Sequence, residues 1–340
     1  MSYVLITGGA GYIGSHVCLE LYKKNIKNII VVDNFSKSKE DMQLILKDKI
    51  PTIEIYNFNL SDKQLLSSVF KQYKIGSVIH LAAYKSVNES ISCPIEYYKN
   101  NVSNTIQLLE IMEEHNCKNF IFSSSATVYG NQTEVPIKET ANTYNKQTNP
   151  YGTSKIIVEM MLKDLISKET GWNIVILRYF NPVACDTSGE IGENPKDKPS
   201  NLFPHIMKVF TGENKKLNIY GSDYKTADGT CIRDFIHVSD LAEAHISACE
   251  YIKHKTQTYE IFNIGTGNWY SVLQIVNRFN EITDNKIPYE FKPRRKGDIS
   301  YCFADCSKAK DILGWKAKKT LDDIINDCIT RANYLKLSNK

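Results

Sequence analysis

The 340-residue chain has no apolar run near the roughly 18 residues a membrane-spanning helix needs. Its first residues, Met1-Ser2-Tyr3-Val4-Leu5-Ile6-Thr7, carry neither a basic stretch nor a small-residue cleavage site. No secretory leader is expected from them, and the expected compartment is the cytoplasm. There is no block of Lys or Arg. The formal charge of +4 comes from scattered lysines, which argues against nucleic acid or a membrane surface as partner. No CxxC occurs. The nine cysteines (Cys18, Cys93, Cys117, Cys185, Cys231, Cys249, Cys302, Cys306, Cys328) are odd in number, so a disulfide framework is not expected. Cys302 and Cys306 form the tightest pair but have no second Cys or His pair nearby, and no metal site is expected. Internal repeats and low-complexity tracts are also missing. What remains is globular composition, 42% hydrophobic and 24% charged, enough for two cores at about 150 residues per domain.

The apolar residues gather in short, nearly continuous runs. Tyr3–Thr7, Asn28–Asp33, Thr52–Phe58, Ser77–Ala82, Asn119–Ser124 and Asn173–Tyr179 read as strands buried on both faces. Helical stretches lie between them: Tyr12–Lys24, Asp62–Tyr73, Pro94–His115 and Pro150–Glu169. This alternation predicts an α/β fold, a Rossmann-like doubly wound parallel sheet. Past Tyr179 the rhythm changes. Asn181–Asp228 is rich in Gly, Pro, Asn, Asp and Lys and reads as long loops around one helix, Leu202–Phe210. Shorter strands (Glu260–Ile264, Ile287–Phe291) and helices (Ser239–Lys253, Ser271–Glu281, Ser307–Leu313, Thr320–Tyr334) follow. We therefore expect a nucleotide domain over 1–180 and a smaller mixed α/β domain over 181–340, exchanging segments around 235–265.

The first turn, Gly8-Gly9-Ala10-Gly11-Tyr12-Ile13-Gly14, lies between an expected strand and helix. Gly8, Gly11 and Gly14 let the backbone turn tightly, approach a pyrophosphate and pack helix on sheet. The helix N-terminus offers free N–H groups to the phosphates. Asp33 ends the second strand, 19 residues beyond Gly14, where a carboxylate accepts from an adenosine ribose. It would repel a 2′-phosphate, so the expected cofactor is NAD rather than NADP.

Ser123-Ser124-Ser125 ends the fifth strand, facing the crevice above the sheet. Tyr151 and Lys155, just after Pro150, stand one helical turn apart on one face. A free phenol near pKa 10 is a poor base at neutral pH. A neighbouring ammonium and a positive nicotinamide ring are expected to lower it. The Tyr-x-x-x-Lys spacing is weak alone, since Tyr251 and Lys255 repeat it. The order of glycine turn, serine-rich strand end and Tyr/Lys helix selects Tyr151.

These residues resemble the extended short-chain dehydrogenase/reductase superfamily and, within it, the UDP-galactose (UDP-glucose) 4-epimerases. The resemblance runs nearly end to end. Its most specific stretches are Ser123–Gly130, Leu177-Arg178-Tyr179-Phe180-Asn181-Pro182, Arg233-Asp234-Phe235-Ile236-His237-Val238 and Pro293-Arg294-Arg295-Lys296-Gly297-Asp298. It implies a tightly held NAD regenerated in each cycle. Tyr151 takes the proton of the sugar 4-hydroxyl as hydride leaves C4. The 4-keto sugar turns over about its pyrophosphate link, and hydride returns to the other face. Lys155 holds the nicotinamide ribose, and Ser125 donates to the substrate oxygen.

The implied NAD contacts are Tyr12, Ile13, Asp33, Asn34, Asn59, Leu60, Leu81, Lys85, Asn100, Ser125, Tyr151, Lys155 and Phe180, with Ala82, Ala83, Ser123 and Tyr179 beside them. The implied UDP-hexose contacts are Asn181, Asn201, Leu202, Asn218, Tyr220, Arg233, Arg295 and Asp298, with Lys85, Ser125, Tyr151 and Cys302 facing the sugar. Arg178 ends a buried strand and reads as half of a structural ion pair. A cytoplasmic homodimer, packed through Pro94–His115 and Pro150–Glu169, is also implied.

Three positions depart from the family pattern. Asn59 replaces an Asp near the adenine, and Lys37 stands where Asn is common. Cys302 replaces the bulky Tyr of members restricted to unsubstituted hexoses, which leaves room for a 2-acetamido group; the alternative is a simple buried thiol. A sugar-nucleotide 4,6-dehydratase would need an acid/base carboxylate beside the catalytic Ser/Thr, and Ala126-Thr127 supplies none. A non-catalytic NAD sensor would have no need of Ser125, Tyr151 and Lys155 together.

Overall fold

The computed structural model describes residues 2–132, 134–144, 147–166, 171–193, 201–295 and 297–338. Seven strands form one parallel sheet in the order Thr258–Ile264, Asn173–Tyr179, Asn119–Ser125, Ile75–His80, Tyr3–Thr7, Ile29–Asp33, Glu54–Asn57. The strand path reverses between Tyr3–Thr7 and Ile75–His80, which opens a crevice at the carboxyl ends of those strands.

The continuous apolar runs become strands because both faces are covered. Side chains divide with period two. Val4, Ile6, Ile29, Val31, Val175 and Leu177 join one core; helices Tyr12–Lys23 and Val238–Ile252 pack into it. Leu5, Ile30, Val32, Ile174 and Ile176 join the other, under Lys63–Gln72, Asn104–Glu114 and Pro150–Leu165. A third core, including Phe203, Ile219, Phe235, Ile275, Phe279 and Ile325, builds the smaller part of the molecule.

The strand Thr258–Ile264 and the helix Val238–Ile252 belong to the large sheet assembly, although they follow the first smaller-part elements in sequence. The stretch expected as loops from Asn181 to Asp228 also holds strands Asn181–Val183 and Leu217–Tyr220. Each pairs with a strand from farther along the chain, Phe235–His237 and Tyr289–Lys292 respectively. Such partners leave no local pattern to read.

The expected helix Pro94–His115 is broken. It runs as Pro94–Tyr98, a wider π turn at Lys99–Ser103, and Asn104–Glu114. The last helix before the smaller part ends at Leu165, and its expected residues 167–169 lie outside the described residues.

Candidate active site

A cleft of about 560 Å³ lies over the reversal point. Gly8, Gly11, Tyr12, Ile13, Gly14, Asp33, Asn34, Asn59, Leu60, Leu81, Ala82, Ala83, Lys85, Asn100, Ser123, Tyr151, Lys155 and Tyr179 all line it. Of the expected NAD contacts, Ser125 and Phe180 are the two outside its wall. Phe180 is instead buried among Val128, Tyr129, Ile137 and Ala304.

The glycines are required by contact. Gly8 has φ +73, and a Cβ there would stand 2.7 Å from the Ala82 nitrogen. A Cβ on Gly14 would stand 2.3 Å from the Gly8 carbonyl oxygen. The helix that begins at Tyr12 has no side-chain cap and no acidic residue in its first turn. Its N-terminal N–H groups and partial positive charge are left for an anion. Asp33 braces the turn: Oδ2 accepts from the Ala10 nitrogen at 3.0 Å and Oδ1 from the Phe35 nitrogen at 2.8 Å. Burial pushes its carboxyl up, and those N–H bonds oppose the push. Asn59, at the same end, accepts at 2.9 Å from the Ser61 nitrogen and at 3.3 Å from Asn104. Lys37 reaches Glu89 at 2.9 Å and lies 5.2 Å from the Tyr84 ring centroid.

Tyr151 and Lys155 lie at the other end. The Asn149 side chain caps the helix Pro150–Leu165 by accepting from the Gly152 nitrogen at 2.9 Å. Pro150 opens its first turn, placing Tyr151 and Lys155 under the strand end Ser123–Ser125. Burial pushes the Tyr151 phenol above its ordinary value, while its hydrogen bond with Ser125 lowers it. Lys155 donates to the Ser123 carbonyl oxygen at 2.6 Å and sits 4.8 Å from the Phe122 ring centroid.

The ammonium expected, together with a nicotinamide ring, to acidify the phenol lies in the same buried setting. The ammonium is anchored on the strand, and desolvation dominates Tyr151. Burial also pulls Lys155 down to about 7, against the pull of Glu159. Lys155→Met is therefore expected to melt above the parent protein when both are free of ligand. Between pH about 7 and the ordinary lysine value, the folded parent binds fewer protons than the unfolded chain, so its stability rises with pH. The gap between variant and parent is then widest below about pH 7 and closes toward alkaline pH. Melting curves at neutral and alkaline pH check it; a gap that does not narrow contradicts it.

Sequence reasoning missed the clamp that sets the cleft wall. The π turn places Asn100 in the cleft and buries Asn101. Asn101 Oδ1 accepts from the Tyr84 nitrogen at 2.8 Å, and its Nδ2 donates to the Tyr84 carbonyl and the Ser154 hydroxyl, each at 3.0 Å. Ser154 donates in turn to the Tyr151 carbonyl at 2.7 Å. The only available signal was two adjacent asparagines inside an apolar helix. Glu193 was also missed; it pairs with Lys85 at 3.0 Å across the rim, in a segment without periodicity.

Of the expected UDP-hexose contacts, Asn201 reaches the cleft, and Leu202 follows it as the first residue of its helix. Lys85 and Tyr151, also expected to face the sugar, line the cleft too. Asn181 donates to the Asp234 carbonyl at 2.9 Å. Arg233 pairs with Asp298 at 2.5 Å, and the Arg295 guanidinium lies 4.2 Å from the Tyr220 ring centroid. Asn218 is exposed on the neighbouring strand, and Lys296 lies outside the described residues. Cys302 stands in strand register with Arg233 and packs half-buried against the cluster that holds Phe180. Burial raises its thiol to about 11. Arg178 is the structural half-pair expected, bound twice to Glu159 at 2.5 and 3.0 Å.

Among the described residues no helix is long and apolar enough to cross a membrane, and no cluster of metal-ligating side chains occurs. The family model described as GDP-mannose 4,6 dehydratase matches residues 5–328. A UDP-glucose 4-epimerase of Yersinia enterocolitica is 47% identical over 325 residues, 95% of each chain. The crystal structure of a UDP-glucose 4-epimerase from Stenotrophomonas maltophila, with bound NAD and formylated UDP-arabinopyranose, superposes with TM-score 0.95 at 38% identity, covering 99% of this chain and 100% of that one. Another from Bifidobacterium longum, in complex with NAD+ and UDP, superposes with TM-score 0.92 at 44% identity over 98% of both chains.

Proposed function

Because the chain belongs to the UDP-glucose 4-epimerase family of the extended short-chain dehydrogenase/reductases, we infer that its cleft holds NAD and that Tyr151, Lys155 and Ser125 run a reversible epimerisation at the sugar C4. The enzyme is an NAD-dependent isomerase of UDP-glucose and UDP-galactose. The observation that carries the residue roles is the convergence of an uncapped, glycine-cradled helix N-terminus with Tyr151 and Lys155 on one cleft.

Gly8, Gly11 and the N–H groups after them suit a pyrophosphate, and Asp33 retains lone pairs for ribose hydroxyls. Bound NAD supplies the hydride acceptor and its positive ring. Tyr151, desolvated and bonded to Ser125, takes the proton of the 4-hydroxyl and later gives it back. Lys155 is held by Ser123 where it can bind the nicotinamide ribose. Arg233, Arg295 and Asp298 suit a diphosphate and a ribose. They hold the handle while the keto sugar turns, so the smaller part, residues 181–340 without the returning segment 238–264, is the substrate domain. A cytoplasmic homodimer fits the exposed Ile91, Ile95, Ile106 and Met160 on and beside the expected dimer helices.

Cys302 extends the substrate range to UDP-N-acetylglucosamine and UDP-N-acetylgalactosamine, since a thiol in register with Arg233 and against the cluster that holds Phe180 occupies far less space than a phenol. Cys302→Tyr is expected to cut turnover of the N-acetyl sugars roughly a hundredfold and spare UDP-galactose. Assaying both sugars in parallel tests this. Equal activity of variant and parent on UDP-N-acetylgalactosamine would refute the pocket argument.

A further inference from the structure

The two lips of the cleft touch each other at the end that holds Asp33. The first lip is the loop after strand Ile29–Asp33, and Ser36, Lys37, Ser38 and Lys39 line the cleft from it. The second follows strand Ile75–His80. It lines the cleft with Tyr84, Ser86 and Glu89, the last on the short helix Val87–Ser92. In the sheet these two strands flank Tyr3–Thr7, which feeds the glycine turn. Neighbouring strands lie about 4.8 Å apart, so the flanking two stand about 10 Å from each other across the crevice. A bond between the lips therefore spans the crevice.

Lys37 makes that crossing. Its ammonium reaches Glu89 Oε1 at 2.9 Å and lies 5.2 Å from the Tyr84 ring centroid, both on the opposite lip. Each end of the crossing is anchored. Glu89 Oε2 accepts from the phenol of the buried Tyr97 at 2.7 Å, which fixes the carboxylate with Oε1 toward Lys37. Tyr84 is held by the Asn101 clamp. On the first lip, Ser38 donates to Asp33 Oδ1 at 3.3 Å, the oxygen that also accepts from the Phe35 nitrogen. The loop bearing Lys37 is thus wrapped on the carboxylate that suits the adenosine ribose.

The Lys37 and Glu89 side chains are 38% and 37% exposed. A pair so exposed adds little to the stability of the fold. What it does is join the two walls of one ligand cleft. Resting on the NAD reading, we propose that Lys37 and Glu89 form a latch over the adenosine end of the bound cofactor, which leaves only when the pair opens. They are cofactor-retaining residues, apart from the chemistry at Tyr151. The latch slows release without sealing the cleft. The ammonium's contacts with one carboxylate and one ring together are worth roughly a tenfold change in rate.

Holoprotein loaded with radiolabelled NAD and chased with excess unlabelled NAD gives the release rate directly. Lys37→Met is expected to speed release roughly tenfold. Glu89→Gln, which keeps an acceptor for Tyr97, is expected to speed it roughly fivefold. The double variant is expected to release no faster than Lys37→Met, because the two changes open one latch. Melting temperatures of all three are expected to stay near the parent's. Release from Glu89→Gln within about twofold of the parent would overturn the latch and leave Lys37 as a direct contact of the cofactor. Effects that multiply in the double variant would overturn it as well. A parent that takes up no labelled NAD is a different result: it removes the NAD reading and this inference with it.

Discussion

Tyr151→Phe is expected to lower kcat for UDP-galactose roughly a hundred- to ten-thousandfold and to leave the fold and the binding of UDP unchanged. On the proposed reading, the variant loses the oxygen that takes the sugar proton. It keeps the ring, which is buried under the serine-rich strand end. Burial pushes the phenol's pKa up. A base needs the opposite, and the opposite arrives with the positive charge of the bound cofactor beside it. Steady-state kinetics and UDP calorimetry on the same preparation separate the two effects. A loss smaller than tenfold would remove Tyr151 from the chemistry.

Arg178→Met is expected to destabilise the protein by about 3–5 kcal/mol, through Glu159 more than through arginine itself. The pair is almost fully enclosed, with side chains 4% and 3% exposed. Ser124 donates to the same carboxylate at 2.5 Å, and Arg178 also reaches the Tyr129 hydroxyl at 3.1 Å. Removing the guanidinium strands a buried carboxylate. Removing both charges does not, so Arg178→Met combined with Glu159→Met is expected to recover most of the loss. Glu159 lies one turn beyond Lys155 on the helix Pro150–Leu165, so the single variant also loosens that helix against the strand bearing Ser123 and Ser125. Chemical denaturation of the two single variants and the double variant checks the cycle. A double variant as unstable as the sum of the singles would contradict it.

Legibility in the sequence followed the range of the interactions. Continuous apolar runs such as Asn173–Tyr179 matched the strand limits, because a strand buried on both faces needs nothing but apolar side chains. The glycine turn was readable because Gly8 and Gly14 are forced by backbone contact, and Asp33 because its distance from the turn is set by one helix. The π turn at Lys99–Ser103 was not readable: the Asn101 side chain within it bonds to Tyr84 and to Ser154, the latter 53 residues away. The small parallel pairs failed for the same reason, since Leu217–Tyr220 finds its partner in Tyr289–Lys292. The sequence offered Lys155 as one of two acidifying charges for the phenol but could not show the burial that raises Tyr151. Spacing placed the ammonium near the phenol, but gave no measure of how far both would be removed from water.

The most direct test is proton NMR of the anomeric signals in one tube holding the purified protein, NAD, UDP-galactose and UDP-N-acetylgalactosamine. The account predicts that UDP-glucose and UDP-N-acetylglucosamine both grow in until each epimer pair reaches equilibrium, with no stoichiometric NADH. UDP-galactose and UDP-N-acetylgalactosamine signals that stay unchanged would contradict it.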